Sequence, residues 1–412
     1  MSSPDALRSV EEHLRRILDA VGPLASYDQP LLESVGLPIC EDVVSAVDLP
    51  RFDNSAMDGY AVSAQDVADA SPDRPVQLPV VGESAAGSSK PYAMARGTAI
   101  KIMTGAPMPA GADSVVPVEW TDRGRARVQI TRASVPGQHV REAGEDVRAG
   151  DLVLAEGTTV GARQAGLLAS VGRAQVRTRP RPRVVVISTG DELREPGSAL
   201  DYDSIYDGNS FLLAAAIKTA GAIPYRVGLV SDDPQTFTDA LSDQLVRADA
   251  VVTSGGVSMG DYDVVKDVLS RLGTVEFCQV AMQPGKPQGF GHVGEDRTPI
   301  FTLPGNPVSA FVSFEVFVLP ALRRMMGRFP YRRPRLRARL SDDVPSAPGR
   351  RAYVRAHFEV TDAGAQVSPV GGMGSHLIGD LARANALLPV EPDTEAPRAG
   401  DTVSVLVLDR EF

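Results

Sequence analysis

The segment Ala248-Asp249-Ala250-Val251-Val252-Thr253-Ser254-Gly255-Gly256-Val257-Ser258-Met259-Gly260-Asp261-Tyr262-Asp263 runs directly into Val264-Val265-Lys266-Asp267-Val268-Leu269. Its apolar opening is a buried-strand pattern, and its final stretch carries helical periodicity. The glycine-rich turn between them exposes backbone N–H groups at a helix N-terminus, where the peptide dipoles favour an anion. Asp261 and Asp263 stand beside that anion site. Phosphate and carboxylate repel unless a cation, usually Mg²⁺, lies between them. The segment therefore predicts a phosphorylated small molecule and a divalent metal. The glycine spacing fits neither the dinucleotide fingerprint nor the Walker loop. A plain structural turn would need no cluster of hydroxyls, yet Thr253, Ser254 and Ser258 all fall within it.

Outward from this turn, residues 181–327 alternate strand and helix patterns. Arg183 to Ser188 reads as a buried strand, and Asn209-Ser210 starts a helix that ends at Gly221. Tyr225 to Val230, Val275 to Met282 and Pro299 to Leu303 read as further strands, followed by one long apolar helix from Val308 to Met326. Such alternation predicts a mostly parallel sheet covered by helices on both faces, with ligands at the carboxyl ends of its strands. Thr189-Gly190-Asp191-Glu192, the glycine turn, Gln283-Pro284-Gly285-Lys286-Pro287 and Pro304-Gly305-Asn306-Pro307-Val308-Ser309 all belong at that edge. Asp191 fits a helix cap as well as a ligand to metal, whereas Asp232-Asp233-Pro234 is explained for one acid by capping alone. Lys286, framed by two prolines and a glycine, is aimed as an oxyanion donor.

On the amino-terminal side, Ser9-Val10-Glu11-Glu12 has the form of a capping box before a helix from Val10 to Ala20. Short β-type runs at 76–81, 99–103, 114–118 and 127–130 then alternate with Pro and Gly turns, and a second helix is expected from Ala162 to Val171, packing on the first. After Arg332-Arg333-Pro334 the pattern returns to β, with strands expected at 335–340, 352–360 and 402–408.

Composition bounds the function classes. A chain of 412 residues has room for about three domains. A formal charge of −10 argues against broad nucleic-acid binding, so local donors must hold any anion. The sequence has no apolar run of membrane-spanning length and no signal-peptide core in its first residues. The 2 cysteines, Cys40 and Cys278, read as buried thiols of a reducing compartment, and the 5 histidines are isolated, which argues against zinc.

Seven motifs taken in order resemble one family: Asn54-Ser55-Ala56-Met57-Asp58-Gly59-Tyr60-Ala61, Ile102-Met103-Thr104-Gly105-Ala106, Arg141-Glu142-Ala143-Gly144-Glu145-Asp146, Ser188-Thr189-Gly190-Asp191-Glu192-Leu193, Thr253 to Gly260, Pro284-Gly285-Lys286-Pro287 and Leu303 to Ser309. By them the chain resembles the molybdopterin molybdenumtransferases, which include the E domain of gephyrin. The resemblance implies an α/β plus β, multidomain fold: a split helical linker domain (1–44 and 143–180), an inserted β-rich domain (45–142), a mostly parallel α/β pterin-binding domain (181–329) and a C-terminal β-barrel-like domain (330–412). It implies a cytoplasmic homodimer with intersubunit active sites, no membrane and no nucleic acid. Adenylylated molybdopterin and molybdate are the implied substrates, Mg²⁺ the metal and AMP the product. The adenylyltransferase of the preceding step and acceptor molybdoenzymes are the implied protein partners.

Carried over by position, Asp58, Thr104, Arg141, Asp146, Glu192, Asp263 and Lys286 are the implied catalytic set. Glu192, Asp232 and Asp263 are the implied metal ligands. Substrate contacts fall on Asp191, Asn209, Ser210, Ser254, Gly255, Gly256, Val257, Ser258, Pro304, Gly305 and Asn306. Lys286, Ser309, Arg350 and Ser375 are placed for molybdate. Three positions depart from the family pattern: Gln283 replaces a frequent lysine, Gly208 a frequent serine, and Ala352 a common acid, which leaves Arg351 without an expected partner. Two other readings compete, a molybdopterin adenylyltransferase and a non-catalytic pterin-binding or scaffold protein.

Overall fold

The computed structural model describes residues 7–87, 92–231, 233–255, 264–271, 275–410 and 412. The chain forms two compact units, one of Met1–Tyr27, Gly36–Pro38 and Thr178–Phe412, the other of Asp28–Val35 and Ile39–Arg177.

In the larger unit a six-stranded sheet runs in the order Ile223–Arg226, Arg183–Ser188, Ala250–Ser254, Thr298–Leu303, Pro287–Val293, Val275–Gln279. The first four strands are parallel; Pro287–Val293 runs against both of its neighbours, so Val275–Gln279 again points the same way as the first four. Ser188 pairs with Ser254, and Ser254 with Leu303, so three strands end level and deliver their loops to one edge. Alternation of side chains explains the covering helices. Val184, Val186, Val252 and Phe301 pack on one face with Leu213 and Ile217 of the helix Asn209–Thr219. Val185, Ile187, Val251 and Ile300 pack on the other with Phe237 and Leu241 of Pro234–Leu245 and Val265 and Leu269 of Val264–Arg271. Both faces are thus buried, as a parallel sheet requires.

Several expected elements change form. The strand Pro287–Val293 was hidden by its glycines; a Cβ on Gly289 would lie 2.8 Å from the Phe277 ring, so close packing, not propensity, selects glycine there. The strand expected from Val275 to Met282 stops at Gln279, and Met282–Gln283 pairs instead with Arg351 and Ala352. The strand expected at 225–230 is Ile223–Arg226. The long apolar helix is Pro307–Ser313 and Leu319–Met325 joined by a π-helical turn, Phe314–Val318. Pro320 lacks an N–H and its ring crowds the carbonyl four residues back; the widened turn accommodates it.

The C-terminal strands Arg335–Leu340, Arg351–Thr361, Gly364–Pro369, Ala386–Val390 and Thr402–Val407 close into a five-stranded barrel through the pairing of Arg351–Thr361 with Ala386–Val390. Leu340, Val354, Val367, Leu388 and Val405 fill it. Arg351 is not left unpaired: it bonds Glu11 and Glu391, so the acid missing at Ala352 is supplied from elsewhere in the chain. The helix Val10–Ala20 begins at Ser9, whose Oγ accepts the Glu12 N–H at 3.1 Å. It buries Val10, Leu14 and Ile17 in the larger unit's core.

The smaller unit holds a five-stranded sheet in the order Ser114–Pro117, Gly59–Val62, Ala99–Ile102, Val76–Ser84, Arg127–Ile130. Tyr60, Val62, Val116, Val128 and Ile130 form its core. The helix Ala162–Ser170 buries Leu168 against Ile39, Val43, Val160 and Val176. Cys40 and Cys278 form no disulfide among the described residues, and both are half-buried, more exposed than expected.

Candidate active site

At the carboxyl edge of the sheet lies a cavity of about 270 Å³ lined by Ser188, Thr189, Glu192, Tyr206, Asp207, Asn209, Ser254, Gly255 and Gly305 among others. Local chain chemistry builds it. Gly190 has φ +152°, a backbone conformation that favours glycine, and the Glu192 carboxyl folds back over it, 2.6 Å from where a Cβ would fall. Gly255 has φ +91°, the left-handed conformation that breaks the strand at the cavity floor. Asn209 Nδ2 donates to Ser254 Oγ at 2.8 Å and to the Gly305 carbonyl at 2.5 Å, locking helix start to strand end and to the Pro304-Gly305-Asn306 loop. Asn306 then caps the helix Pro307–Ser313 by backbone position, with no bond from its side chain.

Ser210 is buried below the cavity; its N–H donates to Asp207 Oδ1 at 3.0 Å, and its Oγ accepts from Arg226 Nε at 2.7 Å. Arg226 is also paired with Glu195 at 2.6 Å. Asp191 is exposed and outside the cavity lining. Ser309 is buried on the Pro307–Ser313 helix, and the Val308 N–H donates to the Ser375 carbonyl at 3.1 Å, which brings these two molybdate candidates to one place. Lys286 and Arg350 are half-buried and do not line the cavity. Asp232, Gly256, Val257, Ser258 and Asp263 lie outside the described residues. Sequence reasoning missed Asp207. The sequence pattern carries no sign that its carboxylate faces a cavity.

In the smaller unit, Asp58 and Thr104 are exposed and joined: Asp58 Oδ1 accepts the Thr104 N–H at 2.7 Å and its hydroxyl at 2.9 Å. These bonds, the backbone one first, hold the Asp58 carboxyl below the usual range. Arg141 pairs with Asn54 in a two-stranded ribbon, and Asp146 donates its N–H to the Leu49 carbonyl at 3.0 Å. The segment 49–59 thus carries or anchors all four expected residues. Among the described residues no group of three or more His, Cys, Asp and Glu could hold a metal ion. Of the expected metal ligands only Glu192 is described.

Level parallel strands that end in glycine turns and helix starts define a class: an α/β protein that takes an anionic small molecule at its strand ends. Family models refine this. Residues 8–172 match the MoeA N-terminal region (domain I and II), 185–324 a probable molybdopterin binding domain and 337–408 the MoeA C-terminal region (domain IV). Molybdopterin molybdenumtransferase 2 of Mycobacterium tuberculosis is 45% identical over 97% of this chain and 99% of its own length. The molybdopterin molybdenumtransferase of Haemophilus influenzae is 35% identical over 91% and 92%. A crystal structure of the molybdopterin biosynthesis MoeA protein of Pyrococcus horikosii superposes with TM-score 0.82 at 31% identity, covering 98% of this chain and 100% of that one. The chain belongs to the molybdopterin molybdenumtransferase family.

Proposed function

We propose that this chain inserts molybdenum into molybdopterin, using adenylylated molybdopterin and molybdate and releasing AMP. The observation that carries the reading is the cavity at the carboxyl edge of the sheet, where Asn209 ties Ser254 to Gly305. Its loops present backbone donors and hydroxyls of the kind a diphosphate takes. A carboxylate is the hard oxygen donor that Mg²⁺ prefers, and Glu192 offers one in the cavity wall; Asp232 and Asp263 complete the proposed set. Bound there, the ion would supply charge neutralisation to the departing phosphate.

The chain's own groups do the rest of the proposed work. Asp58, kept ionised by Thr104, would orient water or a cation near the diphosphate, with Asp146 beside it in role, and Arg141 would offset phosphate charge. Lys286, Ser309, Arg350 and Ser375 would hold molybdate, since cationic and hydroxyl donors suit a tetrahedral oxyanion. In the same proposal, the chain is a cytoplasmic homodimer of the four-part domain plan, and residues of the inserted domain serve the α/β site of the partner subunit. The test is incubation of the purified protein with adenylylated molybdopterin, molybdate and Mg²⁺, following AMP by chromatography. Stoichiometric AMP and cofactor able to reconstitute a molybdoenzyme are expected. Absence of both overturns the proposal.

A further inference from the structure

We infer that Asp207 reads the aminopyrimidinone edge of the pterin. This rests on the substrate reading above and gives the ligand a direction within the cavity. Asp207 lines the cavity yet is only 2% exposed. Its hydrogen bonds, from the Ser210 N–H at 3.0 Å and the Ser188 hydroxyl at 3.3 Å, both end on Oδ1. Oδ2 has no partner among the described residues, and no ion pair among them neutralises the carboxylate. The guanidinium that holds Ser210, Arg226, is committed to Glu195 at 2.6 Å.

A buried carboxylate with half its acceptor capacity unused is costly unless a ligand donates to it. The charge also decides which end of the ligand comes near, because a phosphate would be repelled. A pterin presents an amino group on its ring edge, and Oδ2 can accept from it in a bond strengthened by the carboxylate charge. Leu193, Ile205 and Ile378 add apolar walls suited to a flat heterocycle. The diphosphate end then faces Gly255 and Gly305, away from Asp207.

Fluorescence titration with free pterin, with lumazine (in which a carbonyl replaces the 2-amino group) and with AMP tests this on wild type and Asp207→Asn. The variant keeps an oxygen for Ser210 and Ser188 but turns a donor toward the pterin's donors. It is expected to lose at least about tenfold in pterin affinity, the scale of a charge-assisted bond, while AMP binds as before. Wild type is expected to prefer pterin to lumazine by a similar factor, a comparison that needs no variant to fold. Equal binding of pterin by both proteins, or of pterin and lumazine by wild type, overturns the inference. Failure of wild type to bind any pterin overturns instead the substrate reading on which it rests.

Discussion

Asp58 and Thr104, 46 residues apart in sequence, meet through two hydrogen bonds to a single carboxylate oxygen. One comes from backbone and survives any substitution of Thr104; the other comes from the hydroxyl. Thr104→Val therefore removes half the support of an exposed acid. The Asp58 pKa is lowered in the folded protein, so loss of the hydroxyl raises it, and the acid limb of the pH–rate profile for AMP release is expected to move to higher pH. Asp58→Ala is expected to abolish release with an unchanged circular dichroism spectrum. An Asp58→Ala protein with normal turnover would remove this residue from the site.

The proposed assembly of the site from two subunits has a stoichiometric consequence. Asp58→Ala and Glu192→Ala homodimers are each expected to be inactive. Equal mixing after unfolding and refolding makes half of the dimers mixed, each with one intact site, so about a quarter of wild-type activity is expected to return. No recovery would mean that both residues serve the same subunit's site.

Gly59 is the residue after Asp58, and its glycine is dictated by packing. A Cβ there would lie 2.0 Å from the Val116 carbonyl oxygen, across the pairing of Gly59–Val62 with Ser114–Pro117. Gly59→Ala is expected to cost about 2 kcal/mol or more, read as a lower melting temperature. Gly166, in the helix Ala162–Ser170, has nothing within 4 Å of the point an added methyl would occupy. Gly166→Ala is expected to be neutral or slightly stabilising, which makes it the control.

His13 sets a pH dependence of stability. It is 2% exposed, edge-on to Phe317 at 4.8 Å, with Nδ1 3.4 Å from Arg8 Nη1. Burial first, and then the Arg8 charge, push its pKa down to about 4 from 6.5. A lowered pKa in the folded state means that the unfolded chain binds the proton first. Stability is thus full above pH 6.5 and falls as the pH drops toward 4, by about 3 kcal/mol from this group. His13→Phe is expected to flatten that part of the curve in urea melts taken between pH 7 and pH 4.

Legibility differed by element for physical reasons. Arg183–Ser188 and Ala250–Ser254 were readable because a strand buried on both faces is apolar throughout, and Val10–Ala20 because a cap and one apolar stripe mark it. Pro287–Val293 was not, since its glycines answer to the Phe277 ring across the sheet and carry no local preference for a strand. The π-helical turn at Phe314–Val318 was likewise invisible: Pro320 warns of a break, but packing around it chooses the form. Among site residues, Glu192, Asn209, Ser254, Gly255 and Gly305 were named from sequence and line one cavity. Asp207 was not among them, because nothing in the local pattern shows that its carboxylate reaches the cavity.

The sequence alone determined the alternation that makes a parallel sheet, the turn-forming glycines at its edge, and the residue types suited to an anion, because these depend on periodicity and backbone conformation over a few neighbours. Only the tertiary structure decided that Arg351 finds Glu11 and Glu391, that Thr104 reaches Asp58, and that Asp207 faces a cavity with an oxygen to spare. Those outcomes depend on side chains far apart in the chain arriving within hydrogen-bond reach, and a linear pattern holds no record of distance.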